Sequence, residues 1–408
     1  MNHLFIWITL PNGEVVRLGE IAFGDMKEDG TAPTAFRYAQ EWLAHPGAFP
    51  INPDPQALPL ETREFQASNL GYPLRVFDDA LPDDWGRRLI VSELQLPRHQ
   101  QGPFWIMRAV RAAGLGALIF STTRKQPPAR HKTSRNLDEL AAAAIAFDAG
   151  EPVEDTALHR LYVAGSTPGG ARPKALVSHD GGEWIAKFPS RWRDQGLDVV
   201  GLEATCLVLA RSAGLDVPDC QLAPLGTRRA VLVRRFDITP AGGRCHMISL
   251  ATLCREAGGS YVTTYEVPAN AIRRLSDDPG DVERFFRQMV FNAAIGNTDD
   301  HLKNFLMLRS AQGYHLSPAF DLVPDIGGNR DHQLAIGHSH STPTGEILAS
   351  VGKHWLGNST LARAILTKVI DAVAQFPATA DSLAVDPATI KKFAVDIERR
   401  LKLLRTGL

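Results

Sequence analysis

The chain has 408 residues, of which 44% are hydrophobic and 22% charged, and its formal net charge is −1. This length is enough for two or three compact units, each with its own core. Near-neutrality excludes the global basic field typical of proteins that bind nucleic acid directly, but it does not exclude a local basic patch. The cysteines form no C-x-x-C pair, and no apolar run approaches the ~18 residues that a membrane span requires. We therefore expect reduced thiols and a cytoplasmic protein that does not interact with membranes.

The N-terminal part predicts two strands before its first helix. Leu4–Leu10 is an apolar run that ends at a Pro-Asn-Gly turn, and no basic residue precedes it, so we interpret it as a strand rather than a signal peptide. A second strand is expected over Glu14–Phe23 and a short helix over Ala35–Leu43, followed by a proline-rich loop. Further helices should begin near Asp83 and cover Asn136–Gly150, with a domain boundary near residue 150.

Beyond residue 160 the sequence predicts a glycine-rich loop followed by a β-hairpin. The loop covers Ala164–Pro173, and the hairpin arms are Lys174–Ser178 and Glu183–Phe188, joined by an Asp-Gly-Gly turn. A helix over Leu202–Ala213 and a strand over Arg229–Arg234 should follow.

The clearest helical periodicity runs over Asp281–Ile295, and Gly296 is a suitable C-terminal stop. Two short strands are expected over Phe305–Leu308 and Tyr314–Leu316. The polar segment between the helix and these strands therefore forms a loop, and the second strand leads to Asp321.

The polar loop carries the side chains needed for magnesium-dependent phosphoryl transfer. We assign Asp299 as the general base, or the group that orients the substrate hydroxyl. Asn304 and Asp321 should bind Mg²⁺, which prefers oxygen ligands. His301 is a further catalytic candidate that could brace the loop or touch the γ-phosphate, and Lys303 could neutralise developing phosphoryl charge.

The nucleotide phosphates need basic side chains and closely approaching backbone. Lys187, at the end of a hairpin arm, is the candidate for the α- and β-phosphates, and Glu203 on the next helix could hold it in place. The other predicted phosphate contacts are small or basic residues of the preceding loop, namely Gly169, Gly170, Ala171 and Lys174. Ser166 and Thr167 place hydroxyls in the same loop, so self-phosphorylation is a further hypothesis.

Three alternatives stay open. Asp300 should be the secondary member of its acidic pair, yet with Asp299 and the histidines at positions 301, 332, 338 and 340 it could contribute to a metallohydrolase site. That interpretation lacks an H-E-x-x-H spacing and leaves Lys187 without a role. A small-molecule kinase would use the same Asp-x₄-Asn-plus-Asp set, and a non-catalytic binding module could act with a DNA-binding partner.

These motifs resemble the HipA family of bacterial serine/threonine protein kinases, the toxins of toxin–antitoxin pairs. The resemblance extends over most of the chain, and the segments that carry it are Phe36–Leu43, Phe77–Asp84, Pro168–Lys174, Trp184–Pro189, Val233–Asp237, Asn297–Phe305 and Ser317–Pro324. The resemblance implies an α+β, two-lobed protein-kinase-like fold. Its parts would be a small β-rich N-terminal subdomain over 1–150, a kinase N-lobe with the glycine-rich loop over 151–236, and a mostly helical C-lobe with the catalytic loop over 237–408.

The resemblance also implies site roles and partners. ATP and Mg²⁺ would be the cofactors, and the backbone of Arg234 and Phe236 would meet adenine at a hinge that includes Asp237. The family has a self-phosphorylated regulatory serine, and the matching position here is Thr167, with Ser166 adjacent. A small helix-turn-helix, HipB-like antitoxin would be the partner and would make the DNA contact. The substrate would be a protein, and the family's best-known substrates are aminoacyl-tRNA synthetases.

Overall fold

The structure is a computed structural model that describes residues 2–25, 27, 31–129, 136–165, 170–255 and 263–408. The chain divides into two compact units made of interleaved segments. The first comprises residues 1–186, 235–260 and 307–314, and the second comprises residues 187–234, 261–306 and 315–408. The three predicted domain ranges stay predictions.

The strands and helices of the described residues follow in chain order. The strands are β1 Asn2–Thr9, β2 Val15–Phe23, β3 Pro33–Tyr38, β4 Phe65–Ser68, β5 Leu118–Ser121, β6 Lys174–His179, β7 Gly182–Lys187, β8 Cys220–Leu225, β9 Arg228–Arg234, β10 His246–Ser249, β11 Leu306–Ser310 and β12 Gly313–Leu316. The helices are α1 Gln40–Leu43, α2 Asp84–Glu93, α3 Pro103–Val110, α4 Leu137–Asp148, α5 Asp155–Gly165, α6 Val199–Ser212, α7 Leu250–Leu253, α8 Glu266–Leu275, α9 Asp281–Ile295, α10 Gly345–Leu356, α11 Ser359–Val373, α12 Phe376–Ser382 and α13 Pro387–Arg405. Short 3₁₀ turns cover Leu74–Phe77, Arg98–Gln100 and Leu302–Asn304.

The first unit begins with a five-stranded sheet in the order β4-β3-β2-β1-β5. Its neighbouring strands all pair antiparallel. Apolar side chains of β1 alternate between a fully buried face and a partly exposed one, the period expected for a strand with one face on a core. The two N-terminal strands predicted from the sequence are therefore confirmed, within two residues at each end.

The helix predicted over Ala35–Leu43 is wrong in its first half. Residues up to Tyr38 belong to β3, where Phe36 and Tyr38 are buried and Arg37 between them is exposed. This alternation has the period of a strand, and pairing with β2 and β4 decides the conformation over intrinsic preference. Only Gln40–Leu43 is helical.

Helix α9 is the centre of the second unit, and its predicted bounds are confirmed. Phe285, Phe286 and Met289 on this helix are fully buried, and α8, α10, α11 and α13 pack around it. Gly296 ends the helix with φ +76°, in the left-handed region that glycine adopts without strain. A side chain at this position would also collide with the buried guanidinium of Arg400.

The cysteines at positions 206, 220, 245 and 254 are free thiols. Over the ranges that the structure describes, no helix combines the length and the apolar character needed to cross a membrane.

Asp79 is a partly buried titratable group of the first unit. Its carboxylate accepts hydrogen bonds from the Ser249 backbone N–H (2.8 Å) and hydroxyl (2.7 Å), and Ser249 in turn caps α7. Loss of solvent raises the pKa of Asp79 to about 6, although the bonds from Ser249 act in the opposite direction. The folded state therefore binds more protons than the unfolded chain between the ordinary aspartate pKa and this value. It follows that the contribution of Asp79 to stability falls as pH rises through that window.

We expect Asp79→Asn to abolish this pH dependence. The difference in free energy of unfolding, variant minus parent, should grow by about 1–3 kcal/mol as the pH rises from ~4 to ~7. The reason is that only the parent must ionise a partly buried carboxyl group over this pH interval. The lower part of this range allows for the partial exposure of the residue. Urea unfolding at a series of pH values measures the difference. A difference that stays constant with pH would contradict the assignment.

Candidate active site

The loop after α9 carries two consecutive carboxylates, one exposed to solvent and one buried. The Asp299 side chain is 66% exposed, whereas that of Asp300 is completely buried. The amide nitrogen of Asn304 donates to the backbone carbonyl of Asp299 (2.8 Å). Because a carbonyl can only accept, this bond fixes the orientation of the amide and identifies the Asn304 oxygen as the atom that could bind a cation. His301 Nε2 lies 3.6 Å from Asp299 Oδ1.

The surroundings of Asp299 raise the pKa of its carboxyl group. Partial removal of solvent raises its pKa, His301 opposes the change, and the carboxylates of Asp321, Asp300 and Asp325 raise the pKa further. Since most of the side chain is exposed, water weakens each of these effects. A carboxylate with increased proton affinity is suited to accept a proton from a hydroxyl.

Asp300 anchors the loop through a buried hydrogen-bond network. Its Oδ2 accepts from the Tyr265 hydroxyl (2.8 Å) and lies 2.9 Å from His332 Nδ1. Its Oδ1 accepts from the backbone N–H of Gln333 (2.7 Å). The polar partners satisfy a carboxylate that would be costly to bury alone. Asp300 is thus a structural residue, in line with the expectation that it would be secondary to Asp299.

The network continues toward the second predicted metal ligand. The Asn292 amide donates to the Tyr265 hydroxyl (3.3 Å), and the Asn297 amide donates to Asn292 Oδ1 (3.2 Å) and to the Asp321 carbonyl (3.5 Å). Asp321 has φ +56°, a left-handed conformation that a non-glycine residue adopts only when its surroundings impose it. Buried amides therefore connect the Tyr265 hydroxyl, which bonds the Asp300 carboxylate, to the backbone carbonyl of Asp321.

Lys187 lies between two carboxylates. Its ammonium forms ion pairs with Glu203 on α6 and with Asp321 Oδ1, the latter at 2.8 Å. Burial alone would lower the pKa of Lys187, but the charges of Asp321 and Glu203 outweigh it and raise the pKa. The lysine is therefore a permanent cation, and the pairing with Glu203 predicted from the sequence is present.

The glycine-rich loop is only partly described. Ser166, Thr167 and Gly169 lie outside the described residues, so the predictions for them stay predictions. Gly170 has φ +94°, and its N–H donates to the Asp83 carboxylate (2.9 Å). Ala171 is half-buried, and Lys174 is buried at the start of β6.

The predicted hinge residues differ in their surroundings. Asp237 is buried and accepts from Arg235 (2.7 Å), Arg244 (3.1 Å) and the backbone N–H of Gly116 (2.7 Å), so protein donors already occupy its carboxylate. Phe236 is half-buried. Arg234 is exposed, with a guanidinium nitrogen 3.4 Å from Asp219. Lys303, a further predicted catalytic residue, is half-buried in the 3₁₀ turn Leu302–Asn304.

The histidines of the metallohydrolase alternative take part in loop structure. His332 contacts Asp300, and His340 Nδ1 lies 2.8 Å from the His332 carbonyl. Within the described ranges, no three His, Cys, Asp or Glu side chains are grouped so that they could hold a metal ion. A magnesium site with Asn304 as a ligand is a different donor set, because it draws on amide oxygen and on the oxygens of the nucleotide.

Two family models match the sequence. The HipA-like C-terminal domain covers residues 166–385, and the HipA N-terminal domain covers residues 15–121. The chain belongs to the HipA family. It is 27% identical over 243 residues to Y4mE of Sinorhizobium fredii, whose name presents it as a candidate kinase, and this match covers 55% of the chain and 56% of that protein. The chain thus spans about half the length of this relative.

Two longer HipA matches come from Shewanella oneidensis. The serine/threonine-protein kinase toxin HipA is 23% identical over 363 residues, covering 79% of the chain and 77% of the toxin. The solved complex of HipA, HipB and operator DNA superposes with a TM-score of 0.69 at 17% identity, covering 98% of the chain and 97% of the matched chain. This match confirms the predicted α+β, kinase-like fold.

Sequence reasoning missed the residues that support this HipA-family site. Tyr265, Asn292, Asn297 and Gln333 were not predicted to take part. Each is an ordinary helix or loop residue in the sequence, and each also bonds a residue at a distant position, which no local pattern could have indicated. The acidic pair itself was the available signal, because phosphoryl transfer needs one carboxylate at this position and the second must have another role.

Proposed function

We propose that the chain is an ATP- and Mg²⁺-dependent serine/threonine protein kinase. The observation that carries this proposal is the position of Lys187 between Glu203 and Asp321. Protein kinases require a strand lysine paired with a helix glutamate and a carboxylate at the metal site. A well-packed apolar cluster would often stabilise a fold as well as a buried ion pair does, so stability alone does not account for these charges.

Different residues of the site would carry out proton transfer, phosphate binding and metal binding. Asp299 would accept the proton of the attacking hydroxyl, and its exposed carboxylate leaves room for a substrate. Lys187 would contact the α- and β-phosphates. Asn304 and Asp321 would hold Mg²⁺, which when bound neutralises charge on the phosphates. The buried Asp300 network would keep Asp299 and Asp321 in place during the transfer.

Self-phosphorylation in the glycine-rich loop is part of the proposal. Ser166 and Thr167 are the hydroxyl residues of that loop, and Thr167 matches the regulatory position expected for the family. Modification there would add negative charge next to a segment whose Gly170 N–H already contacts a carboxylate.

We also propose a HipB-like helix-turn-helix protein as the partner, with DNA contacted through it. The support is the matched Shewanella oneidensis complex, in which HipA is found with HipB and operator DNA. The near-neutral charge of the chain agrees with a DNA contact made mainly by a separate protein.

The test of the proposed activity follows a radiolabelled phosphoryl group. The chain is incubated with γ-³²P-ATP and Mg²⁺, together with a bacterial protein extract or with hydroxylated small molecules. We expect label in acid-precipitable protein, recovered as phosphoserine or phosphothreonine and including the chain itself. Label in the small-molecule fraction alone would establish the small-molecule kinase instead. Absence of transfer, with no ATP binding by calorimetry, would leave the non-catalytic binding module.

A further inference from the structure

The Oδ1 oxygen of Asp299 has a neighbour that the proposed mechanism has not used. The side-chain amide of Gln333 donates to it at 3.2 Å, on the same oxygen that His301 approaches. We propose that Gln333 is a positioning residue for the general base, holding Oδ1 so that Oδ2 faces the substrate hydroxyl. This inference rests on the proposed kinase function and assigns separate roles to the two oxygens of one carboxylate.

The backbone of Gln333 is fixed, which allows its side chain to position another group. Its N–H donates to the buried Asp300 carboxylate (2.7 Å), and the preceding residue pairs with His340, with the His332 N–H donating to the His340 carbonyl at 2.7 Å. Two residues later, Ala335 pairs with the chain on either side of Thr264. Gln333 thus bonds one aspartate through its backbone and the adjacent aspartate through its side chain.

An amide is chemically suited to this role. Its NH₂ group donates to an ionised carboxylate, but it neither titrates nor takes up the proton of the substrate. A carboxylate on a short side chain otherwise turns freely about its last torsion, which is broad and shallow. Restricting that rotation keeps one oxygen in the orientation needed for proton transfer.

The test is a double-mutant cycle. Gln333→Leu keeps the backbone bond to Asp300 and removes only the amide. We expect kcat to fall about 5–20-fold with the KM for ATP nearly unchanged, because an exposed hydrogen bond to a charged group is lost. In an Asp299→Asn background the same substitution should have no further effect, because position 299 then carries no base whose orientation matters. Gln375→Leu, at an exposed residue without a side-chain cap bond, is the matched control. Equal losses in both backgrounds, or no loss in the parent, would overturn the inference.

A second readout does not depend on activity. With ¹⁵N-labelled glutamine, the side-chain NH₂ signals of Gln333 are identified by their absence in Gln333→Leu. Asp299→Asn should shift them, because the acceptor changes from a carboxylate to an amide. If the chain transfers no phosphate but the signals shift, the kinase proposal fails while the contact stands. If they do not shift, the inference fails whatever the activity.

Discussion

Asp299→Asn should reduce kcat about 10²–10⁴-fold, the range typical for loss of a general acid or base. Asparagine has nearly the same size, but its side chain cannot act as a base. Only its oxygen can accept a hydrogen bond, whereas both oxygens of the aspartate can. The KM for ATP should change little, because Lys187 and the metal ligands are untouched. Radiolabel transfer under saturating and limiting ATP gives both parameters.

The exposure of Asp299 makes this variant informative. A side chain that is 66% exposed contributes little to the core, so folding should be preserved and can be checked by urea unfolding. Asp381→Asn, at an exposed position of α12, is the matched control and should keep full activity. Retention of more than a tenth of the parent kcat in Asp299→Asn would show that another group takes the proton.

The sequence was most informative where a function depends on local spacing. Helix α9 could be predicted at both ends because its apolar residues repeat at the helical period and Gly296 follows. The loop after α9 and its polar residues could also be predicted, since Asp299 and Asn304 lie within one short segment. In the structure these two residues do contact, through the Asn304 amide and the Asp299 carbonyl.

Long-range contacts were less accessible from the sequence. The strand β3 was mistaken for a helix because its partners β2 and β4 decide its conformation, and pairing partners are not encoded locally. The contacts of Asp300 with Tyr265 and His332 join residues more than 30 positions apart. A buried carboxylate must find such donors, but the sequence does not say which ones.

Under the proposed mechanism, the acidic pair would allow one loop to be both rigid and reactive. A carboxylate used as a reagent must be accessible, and exposed groups are poorly held. Here the buried Asp300 holds the loop in place, and the adjacent Asp299 is accessible to solvent. Gln333 connects the two, because its backbone bonds the buried member and its side chain the exposed one.

Lys187→Met should remove most activity and also lower stability, and the two effects can be separated. Loss of the ammonium should decrease kcat/KM for ATP about 10²–10³-fold, because charge at the phosphates is no longer neutralised. It also leaves Glu203, whose side chain is only 6% exposed, as a buried anion without a cation. The free energy of unfolding should therefore fall by roughly 2–4 kcal/mol.

Adding Glu203→Gln to Lys187→Met distinguishes a catalytic lysine from a structural one. The second substitution removes the unpaired negative charge of Glu203. We therefore expect the double variant to regain much of the lost stability in urea unfolding. Its activity should stay as low as that of Lys187→Met, because no cation has been restored. Recovery of activity together with stability would mean that Lys187 serves only to neutralise the two carboxylates. In that case, the position of Lys187 between Glu203 and Asp321 would no longer support the proposed kinase activity.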